Sequence, residues 1–98
     1  MTRAETIKAI KQHADAIKAQ GATALYVYGS RARGDNRADS DLDIFVDYDA
    51  DNKFSLMNVA GIKLLIEDEL GLDVHITTHD SLHPLLKDDI EQQAIRVF

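Results

Sequence analysis

The chain has 98 residues, a formal charge of −6 at neutral pH, no cysteine, one proline and a hydrophobic fraction of 45%. That length predicts one domain, residues 1–98, which buries roughly 60–70% of its unfolded surface without metal or disulfide staples. Disulfides, zinc–thiolate sites and thiol nucleophiles are excluded, no stretch approaches the roughly 20 apolar residues of a membrane span, and the dispersed basic residues do not suit direct nucleic-acid binding.

A helix is expected over residues 3–20. Thr2 and Glu5 have capping-box spacing, in which each side chain satisfies a backbone N–H of the first turn. Ile7, Ile10, Ala14 and Ile17 recur at three- and four-residue steps and form one apolar stripe. Gly21 suits the left-handed residue that ends a helix. Residues 24–28 read as the first strand, rich in β-branched and aromatic side chains. A short helix is expected to begin at Ser30 and end before Gly34. The second strand runs from Leu42 to Val46, with Asp47 as its furthest extent, and Asp49 to Lys53 is a polar loop.

A second long helix covers residues 55–70, with Ser55 as N-cap and Leu56, Val59, Ile62, Leu65, Ile66 and Leu70 on its apolar face. Gly71 stops it. The third strand, Leu72 to Thr77, alternates: Leu72, Val74 and Ile76 to one side, Asp73, His75 and Thr77 to the other. After a turn at Thr78–Leu82, Pro84 suits the first position of a final helix over 84–93. Ala94 to Phe98 is a short apolar tail with no assigned element. The order α-β-α-β-α-β-α predicts an α/β (α+β) domain, a small three-stranded mixed sheet packed by helices.

The chemistry concentrates between Gly29 and Asp43. Asp41 and Asp43 sit two apart at the head of a strand, so both carboxylates project from one face. Carboxylates so placed repel each other unless a cation neutralises them, and with substrate phosphate they are the oxygen donors that Mg²⁺ favours. D-x-D alone also fits an exposed polar edge. Gly29 lets backbone approach a ligand closely, and Ser30 offers a hydroxyl and an N–H at a helix start, where phosphate is favoured. A Gly-Ser pair alone also fits a plain strand-to-helix turn. Arg33 and, less directly, Arg31 are placed to meet outer phosphates through charge-assisted hydrogen bonds; solvation or pairing with Asp35 and Asp39 is the alternative. A two-metal site needs a third carboxylate, and Asp73 is the candidate, with a surface strand aspartate as the alternative. His75, His79 and His83 straddle a strand–turn boundary, so their spacing does not build a zinc site.

The stretch G-S-R-A-R-G-D-N-R-A-D-S-D-L-D-I contains Gly29-Ser30, then ten residues, then Asp41-Leu42-Asp43. It resembles the G-S-x10-D-x-D signature of nucleotidyltransferases of the DNA polymerase β superfamily. Its wider form looks like the smallest branch, the minimal nucleotidyltransferase (MNT) domains, and the likeness extends through G-L-D-V and L-H-P-L-L-K-D-D-I. The resemblance implies a nucleotidyltransferase core. It also implies an antitoxin that transfers AMP from ATP to a tyrosine of a partner HEPN ribonuclease toxin, while a cytoplasmic location is expected by default, from the lack of a membrane span. Asp41, Asp43 and Asp73 would then hold two Mg²⁺ ions, Asp73 would assist deprotonation of the tyrosine, and Gly29 and Ser30 would hold the triphosphate. His75 stands where the family strand usually carries an aliphatic residue and is read as an exposed strand residue. The remaining alternatives are transfer to a small-molecule or RNA hydroxyl, and neutralisation of the toxin by contact alone.

Overall fold

The computed structural model describes residues 2–37 and 40–98; Asp39, one proposed arginine partner, lies outside them. In chain order the elements are α1 (Arg3–Lys11), α2 (Ala14–Ala19), β1 (Ala22–Tyr28), α3 (Ser30–Arg33), β2 (Leu42–Tyr48), α4 (Leu56–Leu70), β3 (Val74–Thr78), a 3₁₀ turn (His79–Ser81), α5 (Lys87–Gln93) and β4 (Ile95–Arg96). The sheet order is β3-β2-β1-β4. β1 pairs antiparallel with β2 and β4, while β2 and β3 are parallel, joined across α4. The mixed, helix-packed sheet is the expected one, with one strand more than the three predicted.

The predicted capping box is formed. The Glu5 N–H donates to Thr2 Oγ1 at 3.1 Å, and the Thr2 N–H donates to Glu5 Oε1 at 2.9 Å. The predicted first helix divides, however, because the His13 N–H bonds the Ile10 carbonyl at 2.9 Å and tightens one turn. His13 there also meets Glu69 of α4 at 3.3 Å. Ile10 and Ile17 stay on one face across the break and are both fully buried. They meet Leu25 and Val27 of β1, Leu42, Ile44 and Val46 of β2, and Ile62, Ile66 and Leu70 of α4 in one core. The final helix starts three residues later than predicted, after a turn at Pro84–Leu86.

The fourth strand comes from the tail. Tyr26 pairs with Arg96 and Val27 with Ile95. The Val97 N–H donates to the Leu25 carbonyl at 2.8 Å, and the Leu25 N–H donates to the Phe98 carbonyl at 3.2 Å. The edge of β1 is thereby paired, and Val97 joins the core.

Helices α1, α2 and α4 pack against one sheet face. The other face carries an aromatic cluster: Tyr26 stacks on Phe45 at 4.7 Å, and Phe45 meets His79 at 4.8 Å between centroids. His79 also ties β2 to α5. Its Nδ1 lies 2.7 Å from Asp47 Oδ1 and its Nε2 2.8 Å from Glu91 Oε2. With an ionised carboxylate on each nitrogen, both nitrogens donate, which is the imidazolium form. Burial opposes that charge, but the hydrogen bonds and charges of Glu91 and Asp47 outweigh it and raise the pKa above the usual 6.5. A histidine held this way stabilises the fold fully below its unfolded-state pKa and ceases to do so as pH rises through its folded-state pKa. The melting temperature should therefore fall as pH climbs above about 6.5. His79→Gln should melt a few degrees lower at acid pH and lose that part of the slope. Parallel melting curves for the two proteins across this range would show that the clamp contributes nothing.

Candidate active site

Register places the site. β1 and β2 set Tyr28 beside Asp43, and β2 and β3 set Asp43 beside His75, so the three form one row across the sheet. All lie on the face opposite the core, because the neighbouring Val27, Leu42, Ile44 and Val74 point into it. Asp41 stands one residue ahead of β2, on the same side as Asp43. The two aspartates are thus brought together as their spacing predicts.

His75 reaches both of them. Its Nε2 is 3.1 Å from Asp41 Oδ2, and its Nδ1 is 4.0 Å from Asp43 Oδ1. Burial raises the Asp43 pKa, His75 draws it down, the Asp41 charge raises it and the Arg33 charge lowers it; the net direction is up. The buried, charged form of Asp43 is therefore disfavoured where it stands, a condition that a bound cation would relieve. Tyr28 shares the effect: burial and the Asp43 charge push its hydroxyl up.

Gly29 joins the two halves of the motif physically. Its φ of 73° and ψ of −152° lie in a region occupied essentially by glycine alone. A Cβ there would stand 2.5 Å from Asp43 Oδ2. The turn thus packs its backbone directly against the carboxylate. The Gly29 carbonyl accepts the N–H groups of Ala32 and Arg33, each at 3.1 Å, and so starts α3 with Ser30 as its first residue.

The arginines divide their duties. Arg31 is 2% exposed and donates from Nε and Nη2 to the Ser40 carbonyl, at 3.2 and 2.8 Å. It fixes the backbone immediately before Asp41, a positioning duty that sequence reading missed. Arg31 and the adjacent Ala32 are both buried, and nothing in the sequence signals it. Arg33 is exposed, pairs with Asp35 at 3.1 Å and donates to Gln93 Oε1 at 3.2 Å, yet its charge is felt at Asp43.

Asp73 is exposed and stands ahead of β3, not within it as predicted. Its carbonyl accepts the Leu42 N–H at 2.9 Å, which opens the β2–β3 ladder. The β3 side chain level with Asp43 is that of His75. Among the described residues, no group of three or more His, Asp or Glu side chains is placed to hold a metal ion. Asp41 and Asp43 nevertheless fit Mg²⁺, which commonly takes one or two protein carboxylates and completes its shell with substrate phosphate and water. A hollow of about 300 Å³ on the open face lies near the end of β2 beside Asp47, Tyr48, His79 and Glu91 and does not include the aspartate pair. No helix among the described residues is long and apolar enough to cross a membrane.

Known proteins resemble this chain in sequence and in fold. A relative from Methanocaldococcus jannaschii, named "Putative protein adenylyltransferase", is 39% identical over 72% of this chain and 74% of its own. A solved structure described as a "putative minimal nucleotidyltransferase" superposes with a TM-score of 0.81 at 34% identity, covering 97% of this chain and 95% of that one. A chain from the complex of tri-AMPylated Shewanella oneidensis HEPN toxin with MNT antitoxin shares the fold at a TM-score of 0.65 and 14% identity, covering 94% of this chain and 71% of that one. The model of the nucleotidyltransferase domain matches residues 10–97, and with relatives of this similarity the chain belongs to the nucleotidyltransferase domain family, in its minimal branch.

Proposed function

We propose that this chain is an antitoxin that transfers AMP from ATP to a tyrosine hydroxyl of a partner HEPN toxin. The observation that carries the reading is the close approach of Gly29 to Asp43, which sets the Gly-Ser turn beside the aspartates on one open face and so supports a phosphate-holding role for it. The protein-adenylyltransferase name of the 39%-identical relative and the AMPylated toxin in the Shewanella oneidensis complex supply the class of reaction and of partner.

Asp41 and Asp43 are the residues that would hold Mg²⁺. When bound, Mg²⁺ offsets the triphosphate charge and favours the ionised acceptor oxygen. Gly29 and Ser30 hold the triphosphate through backbone N–H and hydroxyl, and Arg33 adds positive charge at the rim. Arg31 keeps Ser40, and with it Asp41, in place. The tyrosine oxygen forms a bond to the α-phosphorus, the bond from that phosphorus to the oxygen bridging to the β-phosphate breaks, pyrophosphate leaves and the phenol proton passes to water. The work of the chain is positioning and charge neutralisation. Acceptor choice comes from the partner, since the aspartates face an open surface.

Rescue of cells that express the toxin tests this reading. The wild-type chain should rescue, and the double variant Asp41→Asn/Asp43→Asn should fail although it is expressed and bound. Rescue by the double variant would instead mean that contact alone neutralises the toxin.

A further inference from the structure

We propose that the outer face of α4 is a self-association surface, on which a second copy of this chain packs antiparallel about a two-fold axis. The inference does not depend on the proposed reaction.

Helix α4 is apolar on the side that has no neighbour as well as on the side that has one. Ile62, Ile66 and Leu70 turn into the core. On the opposite side Met57, Ala60 and Leu64 follow at three- and four-residue steps and form one stripe, which Asp68 continues. Met57 is 84% and Leu64 62% exposed, with Leu56 beside them at 86%. Single exposed apolar residues are ordinary, but a contiguous set on one helix marks a contact surface. Because α4 covers the core face of the sheet, its outer face points away from the face that carries Asp41 and Asp43. A partner docked over the aspartates would leave the stripe uncovered.

The charges at the helix ends identify the occupant. The last turn of α4 carries Glu67, Asp68 and Glu69 and no basic residue. The Glu67 carboxylate accepts the Val74 N–H at 3.0 Å, and Glu69 meets His13. Among the described residues, Asp68 makes no side-chain hydrogen bond or ion pair, and neither does Lys53, which lies just ahead of the N-cap Ser55. Each of these two charges stands near the end of α4 whose dipole opposes it, the negative end for Asp68 and the positive end for Lys53. An antiparallel second copy corrects both. Setting Met57 of one chain against Leu64 of the other brings Ala60 to the axis, where its small side chain permits close approach. The same register sets Asp68 of each chain beside Lys53 of the other. One arrangement therefore covers the apolar stripe and pairs both charges, and it does so twice by symmetry, as an isologous interface requires. A single helix pair is small beside a standard interface, so the dimer should be weak and reversible, with a dissociation constant on the order of tens of micromolar.

Analytical ultracentrifugation of the purified chain over a concentration series through that range tests the proposal. The mass should rise from the 10.9 kDa of one chain toward twice that value. Met57→Glu and Leu64→Glu should remain single chains at every concentration and melt at the wild-type temperature, because both side chains are exposed. Leu85→Glu, at an exposed leucine outside α4, should associate as the wild type does. Asp68→Lys should weaken association several-fold, and Asp68→Lys combined with Lys53→Asp should restore it, because the exchange re-forms both pairs in the antiparallel register. A wild-type chain that stays single throughout, or association indifferent to Met57→Glu and Leu64→Glu, would overturn the proposal. So would a double exchange that fails to restore association. Loss of toxin binding in Leu64→Glu would give the stripe to that partner and overturn it as well.

Discussion

Asp43→Asn should lower nucleotidyl transfer by on the order of a thousandfold or more and leave the melting temperature unchanged or raised. The substitution keeps the shape of the side chain and removes its charge. On the proposed reading that charge holds the cation, so the loss falls on the reaction. It is also an unfavourable charge in the fold, because burial, together with Asp41, keeps the Asp43 pKa above its ordinary value despite His75 and Arg33. A carboxyl with a raised folded-state pKa costs stability above that pKa, and the cost disappears as pH falls below the unfolded-state value. At neutral pH the cost is present, and the amide removes it. Transfer rates and thermal melts of the purified variant check both halves. A variant that loses activity together with stability would mean that Asp43 is structural.

Gly29→Ala should lose both activity and stability, whereas Gly34→Ala loses stability alone. Both glycines have positive φ, 73° and 81°. A side chain at either position carries backbone strain of about 1–3 kcal/mol, a drop of several degrees in melting temperature for a domain of this size. Their surroundings differ. A Cβ at Gly34 meets nothing within 4 Å, whereas one at Gly29 stands 2.5 Å from Asp43 Oδ2. The Asp43 side chain can swing away at small energetic cost, but the displaced group is the one the proposed chemistry requires. The Gly34 variant therefore serves as the control for strain. Equal residual activity in the two variants, compared at temperatures where both are folded, would show that the contact with Asp43 is irrelevant.

The motif was legible because its halves obey local rules. Two-residue spacing put Asp41 and Asp43 on one face, and Gly-Ser after a strand marked the turn that follows β1. Thr2 with Glu5, and Ser55 ahead of α4, likewise signal helix starts through side chains next to the backbone they cap. The Ser55 N–H meets Asn58 Oδ1 at 3.0 Å.

What stayed hidden depends on partners distant in sequence. Ile95 and Arg96 are too few to alternate, and they become a strand only because β1 offers an open edge beside them. Nothing in residues 11–13 breaks a helix, so the apolar stripe reads straight through the turn that divides α1 from α2. Asp73 and His75 share the polar side of an alternating strand, and alternation cannot say which is level with Asp43. The parallel register decides that, and it is set by Leu42 against Val74. Arg31 and Arg33 look equivalent in the sequence. The first is buried against Ser40 and the second remains exposed because α3 turns one inward and the other out.

The central claim is that this chain moves the α-phosphorus of ATP onto a partner's hydroxyl. Parallel incubations of the chain and its partner with ATP labelled at the α- or the γ-phosphate test it most directly. The account predicts α-label retained on a tyrosine of the partner, none from the γ-position, and none when Asp41 and Asp43 are both asparagine. Label carried over from the γ-phosphate, or none from either position with the wild-type chain, would contradict it.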